Sequence, residues 1–68
     1  MIKIKVIWKD SSESYVISPN FYTQFIDKAK DYHSVLIAAR TARKIKNSGG
    51  LLVKDVVIVT DTKTYNVF

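Results

Sequence analysis

The sequence predicts a small α+β domain. The expected plan is an antiparallel β-sheet of two hairpins, about four strands in all, with one or two helices packed on one face, in the order ββ-α(α)-ββ. Three observations lead there. Residues 2–9 alternate apolar and basic side chains with period two. Residues 51–60, LLVKDVVIVT, form a β-branched and largely apolar run. Between them lie two stretches with helical spacing or helix-forming residues.

In the first strand Ile2, Ile4, Val6 and Trp8 point one way and Lys3, Lys5 and Lys9 the other, with Ile7 the exception. The polar stretch KDSSES (9–14) is a turn, and Tyr15-Val16-Ile17 returns as a short strand, closing a hairpin over 2–18. Ser18-Pro19 signals a helix start: serine caps orphan N–H groups, and proline at the first helical position loses no needed donor. Phe21, Phe25, Ala29 and Tyr32 follow at helical spacing, flanked by Tyr22 and Ile26, which predicts an amphipathic helix laying aromatics on the sheet. A helix unbroken from 19 to 47 would run about 43 Å at 1.5 Å per residue. That is too long for so small a domain, so a break is expected near Asp31–Ser34, with Ser34 placed to cap the second piece.

In that second piece Val35, Ala38, Ala42 and Ile45 share one helical face. Arg40, Arg43, Lys44 and Asn47 fall on the opposite face, and Lys46 sits at the boundary. Leu36 and Ile37 project towards the basic side. Either the first turn is buried all round, or 34–39 (SVLIAA) is a strand; the helix is the favoured reading. Ser48-Gly49-Gly50 supplies the stop. The strand 51–60 follows, then a tight turn at Asp61-Thr62-Lys63. Thr64–Phe68 forms the last strand, with Tyr65 and Val67 on one face and the C-terminus tied into the sheet.

Length and composition bound the function. The 68 residues suit one domain, 1–68, whose core is marginal unless packing is efficient or a homodimer completes it. There is no cysteine, so no disulfide, and the lone His33 has no second soft ligand beside it. Neither a metal nor another cofactor is expected. Lysines interrupt every apolar run of the N-terminal MIKIKVIWK, which does not read as a signal peptide. No stretch approaches the ~18 apolar residues of a membrane span. A soluble, cytoplasmic protein with no membrane partner is expected.

Charge is the sharpest feature. The net charge is +5, and residues 33–54 carry Arg40, Arg43, Lys44, Lys46 and Lys54 with no acid, so this stretch holds the whole excess. Arg40, Arg43, Lys44 and Asn47 on one helix face, with Lys54 following, form a candidate surface for nucleic-acid phosphates, DNA or RNA, with Lys63 as a second contact. A plainer account competes: exposed lysines aid solubility, and Lys44 and Lys46 answer the helix dipole. Asn47-Ser48-Gly49-Gly50 is not a phosphate loop, because its glycines follow a helix instead of leading into one.

Catalytic material is sparse. Glu13 lies in a turn, Asp27 and Asp31 fall four apart as on one helix face, and His33 stands alone. A small basic ribonuclease using His33, a tyrosine and the arginines is therefore a distant reading behind a non-enzymatic one. The eight aromatics are mostly core candidates, and some tyrosines suit a contact surface. Lys3, Lys5 and Lys9 read as edge protection against strand pairing, or as an extension of the basic surface. Ile, Lys, Asn, Tyr and Phe total 27 of 68, as in AT-rich genomes. A phage or other mobile element is the associated origin. The second reading follows from it: a protein-binding regulator or inhibitor of a host protein, acting through an aromatic or sheet-edge surface.

Overall fold

A computed structural model describes residues 1–18 and 21–66. Five antiparallel strands form one sheet: β1 (Ile2–Trp8), β2 (Glu13–Ser18), β3 (Phe21–Thr23), β4 (Val53–Thr60) and β5 (Thr64–Asn66). Their spatial order is β3-β2-β1-β4-β5, and one α-helix, α1 (Val35–Gly49), packs on one face. The α+β class and the antiparallel sheet agree with the sequence. The layout does not: a fifth strand replaces the first expected helix, giving βββ-α-ββ.

β1 and β2 form the expected hairpin. Its turn places Ser11 at φ 72°, with Ser11 N–H donating to Trp8 O and Trp8 N–H to Ser12 O. This is the tight turn plus left-handed residue common in short hairpins. Alternation sends Ile4 and Val6, both fully buried, to the helix face. Val16 from β2 and Val56 and Ile58 from β4 join them, and Tyr22 packs alongside.

The segment expected as an amphipathic helix is something else. Pro19 and Asn20 lie outside the described residues. Phe21–Thr23 is a strand on the free edge of β2, with Tyr22 opposite Val16. Two local forces decide this. Aromatic and β-branched residues favour a pleated surface over a helix. Thr23 Oγ1 also accepts from Phe25 N–H at 3.1 Å, a turn bond that competes with helix formation. Tyr22 meets Trp8 edge to face at 5.1 Å. Ala29 and Tyr32 are buried as the spacing suggested, while Phe21 and Phe25 are 66% and 61% exposed.

Residues 24–34 carry the chain from the β3 edge to α1. Pairing of β1 with β2 stops at Lys5–Tyr15, and the strap 29–32 takes up hydrogen bonds left beyond it. Lys30 N–H donates to Val16 O at 3.0 Å and Tyr32 N–H to Ile2 O at 2.8 Å. Lys3, on the face away from α1, is buried and donates from Nζ to Ala29 O at 2.7 Å, with Asp31 at 3.6 Å. Lys3 is thus a clasp and not edge protection.

Ser34 caps α1 as expected, accepting from Ile37 N–H at 3.2 Å. Ala38, Ala42 and Ile45 are its buried residues. Its first turn fits neither expected alternative: it is helical yet open, with Leu36 63% and Ile37 45% exposed. Gly50, at φ 59°, ends the helix in a conformation that favours glycine. A short 3₁₀ turn at 50–52 follows, so the strand expected from 51 begins at Val53 and leaves Leu51 90% and Leu52 71% exposed. β4 lies between β1 and β5, which explains why Val56, Val57 and Ile58 are all buried. Lys54 is the extra residue of a β-bulge opposite Ile7 and Trp8. β5 is short and exposed, and the expected partner of Tyr65, Val67, lies outside the described residues with Phe68.

Two stability measurements check this packing. Lys3→Ala should lower unfolding free energy by about 1.5–3 kcal/mol in urea, the range for a hydrogen bond to a charged group. Lys5→Ala, which breaks only the more exposed Lys5–Glu13 pair at 3.4 Å, should cost about 1 kcal/mol or less. Equal losses would deny Lys3 its clasp role. Gly49→Ala sets a Cβ against Cγ2 of the buried Val53 and should cost about 1–3 kcal/mol, despite alanine's better helix propensity.

Candidate nucleic-acid interface

The surface is built by one helix that buries small residues. Ala38 and Ala42 are fully buried, so α1 sits close on the sheet and its other side faces solvent. On that side Arg40, Arg43, Lys44 and Asn47, at i, i+3, i+4 and i+7, are all exposed. The four site residues expected from the helix are therefore brought together.

Their electrostatic surroundings are one-sided. α1 contains no acid. Among the described residues Arg40, Arg43 and Lys44 form no ion pair. Four of the six acids are engaged elsewhere: Glu13 with Lys5, Asp31 with Lys3, Asp61 with the N-terminal ammonium, and Asp55 with Lys46 at 3.9 Å. Asp55 also accepts from Val56 N–H. Lys46 leans to the sheet side, is half-buried, and does not belong to the outer stripe.

The fifth expected residue stands apart. Lys54 is exposed but carried by the bulge of β4, so the structure does not place it on the helix face. Lys63 lies in the β4–β5 turn, at the opposite end of β4 from Lys54. Asp27 and Asp31 do not share the helix face expected of them. No helix joins them: Asp27 sits in a 3₁₀ turn and Asp31 faces Lys3. His33 is exposed just before the α1 cap.

Sequence reasoning turned Leu36 and Ile37 towards the basic side but expected them buried or in a strand, and so missed two features. Exposed aliphatics flank the cationic stripe, Leu36 and Ile37 before it and Leu51 and Leu52 after it. Leu36 lies four residues before Arg40, on the same stripe. The second is an open pocket of about 450 Å³ lined by Trp8, Lys9, Asp10, Ser12 and Leu52. It forms because Lys9 N–H donates to Leu52 O at 2.9 Å, tying the β1–β2 turn to the turn after α1. The one available signal was the Asp-Ser-Ser string, which favours a side-chain-bonded turn. Ser12 donates to Asp10 Oδ1 from both its hydroxyl and its N–H, and these bonds hold the Asp10 carboxyl below its ordinary 3.8.

No protein-family model matches the chain, nor does any curated protein or solved structure. Among the described residues, no helix is long and apolar enough to cross a membrane.

A depressed carboxyl pKa stabilises the fold above the unfolded value, and that contribution is lost as pH falls through the folded value. Ser12→Ala removes the larger of the two causes. The Asp10 pKa, followed by its carboxyl carbon shift in NMR, should rise back towards 3.8. An unchanged titration would mean the hydroxyl bond is not formed in solution.

Proposed function

We propose that the chain is a non-enzymatic module that binds the phosphate backbone of DNA or RNA through the outer face of α1. One observation carries the reading: Arg40, Arg43 and Lys44 stand exposed on a single helix face with no ion pair among the described residues. Surface cations placed only for solubility are normally interspersed with acids. Here α1 carries no acid, and the ion-paired acids meet Lys3, Lys5, Lys46 and the chain terminus, so Arg40, Arg43 and Lys44 keep their charge. Each guanidinium can grip a phosphate through two parallel N–H donors, and Lys44 adds a point charge beside them. Asn47 offers an amide to the same backbone. Such contacts position a nucleic acid without reading its sequence.

A second reading is a protein-binding regulator or inhibitor of a host protein, encoded by a phage or other mobile element. Phe21 and Phe25 favour it, two large rings left mostly exposed beside the edge strand β3. Exposed aromatics at a sheet edge suit a partner that adds a strand or fills the gap between rings.

Fluorescence anisotropy with labelled DNA and RNA across a salt series separates the two. Each phosphate neutralised on duplex DNA contributes about −0.9 to the slope of log affinity against log salt. Three cations predict a slope near −3, and Arg40→Ala with Arg43→Ala should bring it to about −1. Unchanged binding in that double variant would end the first reading. No binding even at about 50 mM salt would favour the second.

A further inference from the structure

The pocket beside Trp8 is lined in part by Leu52, from the segment that follows the cationic helix. Leu52 belongs to the 3₁₀ turn that directly follows α1, and Asn47 is in the last turn of that helix. A backbone lying along Arg40, Arg43 and Asn47 therefore runs towards this pocket. Resting on the phosphate-binding reading above, we propose that the pocket receives one unpaired nucleobase, which makes single-stranded or looped nucleic acid the preferred ligand.

The lining supports a heteroaromatic ring over other occupants. Trp8 and Leu52 supply an apolar wall. The rim is polar and two-signed: Lys9 donates, Asp10 accepts, and Ser12 completes the edge. A base presents an apolar face and an edge of mixed donors and acceptors, which matches such a rim. An acyl chain or an aliphatic side chain would make no use of the Lys9 ammonium or of the free Asp10 oxygen at the rim. Lys9 is exposed and forms no ion pair among the described residues, so its ammonium is also placed to meet the phosphate attached to a seated base. The Trp8 indole N–H is already bound to Ser14 Oγ at 3.1 Å, and the ring rests edge to face on Tyr22. These contacts fix the indole, so a base would find a preformed wall. The volume, about 450 Å³, falls within the range of small-ligand pockets. A base paired in a duplex is stacked on both faces and cannot enter.

The molecule carries its own reporter, because Trp8 is its only tryptophan. The test titrates the full chain with oligothymidylate, oligouridylate, a blunt DNA duplex, inorganic polyphosphate and vesicles of anionic phospholipid. It reads Trp8 emission and, separately, anisotropy of a labelled oligonucleotide. Single strands should quench Trp8 and bind at least about fivefold tighter than the duplex, since stacking of one base contributes about 1–3 kcal/mol. A response to only one of oligothymidylate and oligouridylate would tie selectivity to the 2′-hydroxyl or the thymine methyl and keep the pocket. Polyphosphate should displace the oligonucleotide with no quenching. Leu52→Asp should abolish quenching and weaken single-strand binding about tenfold. Leu51→Asp adds the same charge next door, outside the pocket lining, and should leave quenching intact with about a twofold loss. Both leucines are exposed, so neither variant threatens the fold. Oligonucleotide binding with no change in Trp8 emission, or equal effects of the two leucine variants, overturns the pocket and leaves the phosphate reading standing. No binding of any oligonucleotide overturns both. A Trp8 response to vesicles alone would reassign the pocket to a lipid surface.

Discussion

The architecture depends on a buried ammonium group. Lys3 is 5% exposed, and a charge so placed would be costly if it were left without partners. Ala29 O accepts from it at 2.7 Å and Asp31 stands at 3.6 Å. Asp31 is itself largely solvated, so screening weakens the ion pair, and the carbonyl contact carries most of the compensation. That contact holds the strap 29–32 where β1 and β2 part. Lys3 lies on the face away from α1, while Tyr32, three residues past Ala29, joins the core on the helix face. The clasp therefore anchors the crossing from one face to the other, and Ser34 can start α1 in the right place only after that crossing.

From there the helix geometry follows from small side chains. Ala38 and Ala42 bring the helix close to the sheet, and Gly49 leaves room for Val53 at the start of β4. A helix buried along such a narrow seam keeps a wide solvent face. The charge distribution gives that face its character. The sheet lysines Lys3 and Lys5 use two of the acids, and Lys46 uses another from the flank of α1. What remains for the outer stripe is cationic, and it gains its field by subtraction as much as by the number of its basic residues.

Much of this was legible in sequence, for reasons that can be named. The alternation over 2–9, Ser34 as a cap and the glycine stop after Asn47 are local signals acting within a few residues, and each appears in the structure. The helix expected at 19–32 failed because aromatic spacing of four residues does not distinguish a helix from a strand followed by a strap. Thr23 and the unpaired edge of β2 settled the matter, and the second of these is tertiary. Lys3 was misjudged for the same reason. A lysine between apolar residues on a strand normally faces water, and only the strap covers it. On α1, the outward residues Arg40, Arg43, Lys44 and Asn47 were placed on one face by helical geometry alone, whereas Lys54, grouped with them by sequence proximity, is carried by the bulge of β4.

The exposed aliphatics bring stability and surface into conflict. Among the described residues the largest fully buried side chains are Ile4, Ile58, Val6, Val16 and Val56, a modest core for a chain that has no cysteine. Burying a leucine is worth about 1.5–3 kcal/mol, comparable to a sizeable part of a small domain's total stability. Leu36, Ile37, Leu51 and Leu52 nevertheless remain largely outside. Nothing in helix geometry requires this: polar residues at 36 and 37 would suit the outer face better, and the turn after Gly50 needs no leucine. Apolar side chains that a marginal fold leaves uncovered are most economically explained by contact. On the proposed reading, Leu36 before the cationic stripe and Leu52 after it would meet the less polar parts of the ligand while phosphates meet the arginines, and Leu51 would stay outside that contact.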